Sequence, residues 1–208
     1  MKRIKFLSLF FIAISAMVLT SCLNDDDDES YSSLTPAEIM QCFNLTKGSH
    51  TGKLIYQRRA SNGNFLTTND TIGGSWYIST DSTMSFRNVY ASALASAIAD
   101  TTIMKAVAQQ MPVNISAKIG YVNVTPTQWI INPSPVTYDN VNYNGGTHKI
   151  ELYFATNSTW SYGQASTKDN KQGIQLVIWG MYVDGKPDET GIVQLGNSRV
   201  KPLIFIEQ

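Results

Sequence analysis

Few residue types in this chain could make or break bonds, and their spacing argues against that work. The two histidines, His50 and His148, stand far apart, with no His-Glu-x-x-His run or cysteine pair to complete a metal-ligand set. No Gly-x-Ser-x-Gly elbow exposes a nucleophile, and no glycine-rich loop offers backbone N–H groups to a phosphate. Asp70, Asp81, Asp139, Asp169, Asp184, Asp188 and Glu189 mostly lie near turns. A glycosidase needs two carboxylates facing each other, and only Glu151 with Asp139 falls near a common hairpin. The expectation is a protein that is not an enzyme and holds no metal or cofactor.

The richer material suits binding. Trp129, Tyr138, Tyr143, Tyr153, Trp160, Tyr162, Trp179 and Tyr182 gather in the second half, interleaved with Asn132, Asn140, Asn142, Asn144 and Asn157. Such rings offer apolar faces with polar tips, suited to sugars or protein surfaces; they are also strand formers that fill cores. Trp179 lies in a run that is apolar throughout and reads as core. Trp129 precedes Asn132-Pro133-Ser134-Pro135 and Trp160 follows Asn157-Ser158-Thr159. Those turn formers predict surface loops, so Trp129 and Trp160 are the candidate ligand-binding residues, with a core role as the alternative.

The one cysteine placed for chemistry lies near the start. Met1-Lys2-Arg3-Ile4-Lys5 is basic, residues 6–19 are apolar, Leu19-Thr20-Ser21-Cys22 comes next, and then Asp25, Asp26, Asp27, Asp28 and Glu29. This is the layout of a secretory signal, with an apolar run shorter than the ~20 residues a membrane-crossing helix needs. Leu19-Thr20-Ser21-Cys22 resembles the lipobox of bacterial lipoproteins, which implies cleavage before Cys22 and attachment of diacylglycerol to it. Five acids in a row stay extended and solvated, as a tether would. The acids close behind Cys22-Leu23-Asn24 also resemble the surface-export signal of Bacteroidetes lipoproteins. That likeness implies an outer-membrane, lipid-anchored protein facing the cell exterior.

The resulting layout is a signal at 1–21, a lipidated cysteine and tether at 22–34, and one β-rich domain at 35–208. From Ser30 onward the chain carries 13 Lys+Arg against 11 Asp+Glu, with no concentrated basic patch, so nucleic acid is not an expected partner. Cys42 reads as a small buried hydrophobe.

Thr35-Pro36-Ala37-Glu38 predicts a helix start with a capping box, and Ile39, Cys42 and Phe43 share its apolar face. After His50 the period falls to two: Leu54, Tyr56, Arg58; then Trp76, Ile78; then Met84, Phe86; then Ile115, Ala117, Ile119, Tyr121. Asn144-Gly145 predicts a tight hairpin between 136–143 and 149–156. Residues 174–183, apolar on both faces, predict one central covered strand, and 203–206 a closing one. Residues 91–111 predict a helical excursion, whole or interrupted at Asp100. Eight to ten strands without a βαβ pattern predict a mainly β fold, an antiparallel barrel or a sandwich.

The segment Lys47-Gly48-Ser49-His50-Thr51-Gly52-Lys53-Leu54 resembles the opening of calycin-like barrels. With the lipobox and acids, Leu34-Thr35-Pro36-Ala37-Glu38 and Asp81-Ser82-Thr83-Met84, the chain is similar to a family of uncharacterised gut Bacteroidetes lipoproteins of about this length. That family is one of unknown function and implies no catalytic residue. Asp70-Thr71-Ile72, Asp81-Ser82-Thr83 and Asp100-Thr101-Thr102 resemble a Bacteroidetes O-glycosylation pattern, implying Thr71, Ser82 and Thr101 as acceptors; Asp-Ser and Asp-Thr also favour turns in their own right. The functional expectation is a non-catalytic surface domain binding glycan, peptide or an envelope complex. A carrier of an apolar small molecule and a structural envelope component are the alternatives.

Overall fold

The computed structural model describes residues 33–60, 64–156, 158–188, 191–192 and 202–208, with the side chains of 65–68 excepted. Cys22, Asp25, Asp26, Asp27, Asp28 and Glu29, and the turn residues Asn157 and Glu189, lie outside the described residues. The first element is helix α1 (Pro36–Thr46), and it begins where its signals put it. The Thr35 hydroxyl accepts from the Glu38 amide at 3.3 Å while the Glu38 carboxylate accepts from the Thr35 amide at 2.8 Å. The Thr35 amide, and then the Thr35 hydroxyl donating to the same carboxylate at 2.8 Å, hold the Glu38 carboxyl below its ordinary pKa.

Eight strands then close into an antiparallel barrel: β1 (Gly48–Arg59), β2 (Phe65–Thr80), β3 (Thr83–Val89), β4 (Val113–Val124), β5 (Thr127–Pro133), β8 (Tyr162–Ala165), β9 (Gln172–Leu176) and β12 (Leu203–Glu207). Their order around the barrel is β1-β12-β9-β8-β5-β4-β3-β2. Strands β6 (Val136–Tyr143), β7 (Gly146–Phe154), β10 (Ile178–Val183) and β11 (Lys186–Asp188) form a second sheet, ordered β11-β10-β7-β6. Helices α2 (Ala91–Ala95) and α3 (Thr101–Ala108) divide the helical excursion. The Asp100 carboxylate separates them, accepting from the amides of Thr102 and Ile103 as the cap of α3.

Period-two alternation decides which way each barrel strand faces. On β4, Ile115, Ala117, Ile119 and Tyr121 point in and are buried, while Asn114, Ser116 and Lys118 are exposed. The interior is filled by Leu54, Trp76, Ile78, Phe86, Trp129, Ile131, Ile174 and Phe205, each at most 1 % exposed. Rings of Phe86 and Phe205 meet at 4.8 Å, and Trp76 meets Phe205 edge-on at 6.1 Å. Small barrels are filled this way by their own side chains.

The two poles of the barrel differ. At one, β2–β3, β4–β5 and β8–β9 are joined directly and α1 lies across the opening. At the other, three excursions leave and return: α2–α3 between β3 and β4, the β6–β7 hairpin between β5 and β8, and the β10–β11 hairpin between β9 and β12. The two hairpins join through β7 and β10. Asn144-Gly145 forms the first hairpin turn with φ of 49° and 77°, as its residue types require. Asp184-Gly185 repeats that geometry in the second, with φ of 52° and 75°.

One expectation fails here. Residues 174–183 are not a single strand: β9 belongs to the barrel and β10 to the second sheet, with buried Val177 between them. The Val177 carbonyl accepts from the Ala155 amide at 2.9 Å, so the chain crosses between sheets with its backbone satisfied. The apolar run spans two strands in succession, a buried β9 and a β10 with only one face in the core.

Candidate functional site

The outward face of the second sheet carries the strongest site. In the β7–β10 pairing Ile178 stands opposite Phe154 and Gly180 opposite Tyr153, so Trp179 is the extra residue of a bulge. A bulge re-aims side chains; here it lets Ile178 and Met181 both face the core while Trp179 turns out, 62 % exposed. The reading of Trp179 as core is thereby corrected. An isolated glycine inside an apolar strand is a bulge signal, and Gly180 was that signal.

Around Trp179 the aromatic rings form a row. Trp160, half-buried in the turn before β8, has its ring 6.0 Å from Trp179 at an interplanar angle of 43°. The side-chain amide of Gln175 donates to the carbonyls of Thr159 and Trp160, both at 3.2 Å, holding that turn against β9. Gly180 pairs with half-buried Tyr153 and places no side chain beside it. Tyr153 lies 4.9 Å from Tyr182, tilted by 48°. Tyr182 pairs with Glu151 in register, and the Glu151 carboxylate meets the Lys149 ammonium at 3.0 Å. That bond holds the Lys149 pKa above its ordinary value, and Asp139 adds to the effect. The Lys149–Glu151 ion pair thus lies beside the aromatic row.

Trp129 is elsewhere. It lies within β5, which runs through to Pro133, and is 0 % exposed inside the barrel. The loop placement expected for it does not hold, because Pro133 ends the strand without breaking it. Its indole packs edge-on to Tyr121 at 6.0 Å and fills the space over Gly163, its register partner. Of the two candidate tryptophans the structure brings only Trp160 to the aromatic row.

The histidines serve two clamps. His50 Nδ1 bonds Glu207 at 2.8 Å, and its Nε2 lies 2.9 Å from the Thr46 carbonyl at the end of α1. The Gln172 amide donates to the same carbonyl at 2.9 Å and accepts from the Trp76 indole at 2.8 Å. The Thr46 and Tyr121 hydroxyls lie 2.5 Å apart, and burial pushes the Tyr121 phenol up to about 12. This network ties α1 to its pole of the barrel, where Cys42 is fully buried and its thiol pKa raised. His148 Nδ1 bonds Asp184 at 2.8 Å, and Asp184 also accepts from the Lys149 amide at 2.8 Å. Those two bonds, the histidine's first, hold the Asp184 carboxyl below its ordinary value. Among the described residues no three His, Cys, Asp or Glu side chains converge as a metal site.

The candidate acceptors are scattered. Thr71 is exposed on β2, Ser82 is exposed in the β2–β3 turn, and Thr101 is the half-buried first residue of α3. Their aspartates have local work: Asp70 accepts from the Tyr56 hydroxyl and the Thr71 amide, and Asp100 caps α3.

The chain matches no curated protein and no solved structure. A family model does match, over residues 45–183, from the last turn of α1 to the end of β10. The matched span takes in the whole aromatic row, α2–α3 and the β6–β7 hairpin, and stops short of β11 and β12. The chain belongs to the family described as a domain of unknown function, DUF4840.

Proposed function

We propose that this chain is an outer-membrane surface lipoprotein whose β domain binds carbohydrate, without catalysis, on the outward face of its four-stranded sheet. The observation that carries this reading is exposed Trp179 beside half-buried Trp160, continued by the Tyr153–Tyr182 pair. Indole and phenol faces stack on the C–H faces of sugar rings. Phenol hydroxyls with the Lys149–Glu151 pair supply donors and acceptors for sugar hydroxyls. A barrel interior filled by tryptophan and phenylalanine gives no comparable support to a carrier of apolar molecules.

Screening the full-length protein on a glycan array, followed by titration with the retained oligosaccharide, tests the reading. Trp179→Ala is expected to cost about 1–4 kcal/mol of binding, as exposed aromatic anchors do. Because Trp179 is exposed, its melting temperature should stay within the range of neutral surface substitutions. An array that retains nothing, or unchanged affinity in Trp179→Ala, would sink the proposal.

The anchor rests on Cys22 and on Asp25, Asp26, Asp27, Asp28 and Glu29. Acyl chains contribute ~0.8 kcal/mol per buried CH₂, and more than one chain is needed for stable anchoring. Fatty-acid label is expected on the wild type and absent from Cys22→Ser; label kept by the variant would refute lipidation there.

A further inference from the structure

The spacing of the rings and the charges beside them narrow the class of carbohydrate that the outward face accepts. We infer, resting on the carbohydrate reading above, that the ligand is an uncharged glycan chain held through at least two of its sugar units. Trp179 and Tyr182 lie three residues apart on β10, roughly 10 Å along a strand. Trp160 lies beside Trp179, where β10 begins, and Tyr153 lies beside Tyr182. The row therefore offers two stacking positions, each a pair of rings, and one pyranose is too short to cover both. Once the first unit is seated, a chain presents its next units to the second position at high local concentration.

Strand register sorts the charges between the two faces of the sheet. Tyr182 stands opposite Glu151 and Glu151 opposite Thr137, so these share the outward face with Lys149 and Tyr153. Val183 stands opposite both Ile150 and Lys186, which puts Lys186 on the other face. His148, opposite buried Val141, lies on that other face too. Among the described residues of this sheet, Lys149 is thus the one cation facing outward, and it is engaged by Glu151 at 3.0 Å. Exposed Asp139 on β6 acts on the same ammonium. A uronate or a sulfate ester arriving here meets two carboxylates and no free cation, a like-charge juxtaposition that disfavours it. Sugar hydroxyls meet exposed Thr137 and the Asn142–Thr147 pair, which can donate and accept without stranding a charge.

Calorimetric titration of the full-length protein tests length and charge separately. The probes are neutral hexasaccharides of glucose, xylose and mannose, the matching methyl monosaccharides, and a hexamer of galacturonic acid. At least one neutral hexasaccharide should bind about tenfold tighter than its own monosaccharide, with an affinity that holds up to about 1 M salt. Trp179→Ala and Tyr182→Ala should each bring that hexasaccharide down to the monosaccharide's affinity, because each removes one stacking position. Tyr182 is half-buried, so Tyr182→Leu, which keeps apolar volume and removes the flat face, replaces the alanine if that variant melts low. Tighter binding of the galacturonate, a hexasaccharide no tighter than its monosaccharide, or loss in one variant with none in the other overturns the inference and leaves carbohydrate binding standing. Failure of every neutral hexasaccharide also overturns it, alone if the glycan array retains another carbohydrate, and together with the carbohydrate reading if the array retains none.

Discussion

Trp129→Ala is expected to lower the unfolding free energy by about 3–5 kcal/mol, the range for deleting a large buried aromatic. The indole is fully buried and rests on Gly163, where an added Cβ would come within 2.2 Å of it. Deleting it leaves a void floored by a residue with no side chain to collapse into it. Burial carries one unfavourable element as well: Trp129 Nε1 has no hydrogen-bond partner among the described residues. An unsatisfied buried donor costs about 1–3 kcal/mol, so Trp129→Phe, which keeps a ring and removes the N–H, should cost much less than the alanine. Denaturant unfolding of the two variants decides it. Equal losses would mean that the indole N–H is satisfied, and a neutral alanine would mean that the ring is not in the core.

A second large effect is expected at the seam. An added Cβ at Gly52 would lie 1.9 Å from the Ile206 carbonyl oxygen and 2.9 Å from Glu207 Cα. These are backbone atoms of β12, and no side-chain rotation relieves the contact. Gly52→Ala must therefore separate β1 from β12, whose pairing from Gly52↔Glu207 to Ile55↔Ile204 closes the barrel. The cost should reach or exceed the ~1–3 kcal/mol typical of overpacking, with a lower melting temperature and faster exchange of the amides in β12. Gly73→Ala is the control, since an added Cβ there meets nothing within 4 Å. If both variants melt alike, the seam is not packed this closely.

The parts of the fold that were legible in the sequence are those specified by neighbours along the chain. The Thr35–Glu38 capping box, the Asn144-Gly145 turn and the alternation from Ile115 to Tyr121 each need only a few consecutive residues. The choice between barrel and sandwich depends on β1 meeting β12 across most of the chain, and no local pattern encodes that. The same limit hid the site. Trp179 faces outward only because its strand leaves the barrel at Val177 and bulges against Phe154 and Tyr153. Trp129, set before a proline-rich stretch, faces inward because its strand persists to Pro133.

Three of the four rings of the aromatic row sit on strands, and that placement bears on the kinetics and entropy of recognition. Tyr153, Trp179 and Tyr182 belong to β7 and β10, the two inner strands of their sheet, each hydrogen-bonded to a neighbour on both sides. Their backbones are ordered before any ligand arrives, so association forfeits little further chain freedom, only the side-chain rotamers. A site made of loops would have to be organised at the moment of encounter, which slows capture and weakens it. Here the two ring pairs are already spaced, and a ligand matching that spacing should bind in one step, with no slow isomerisation after the encounter.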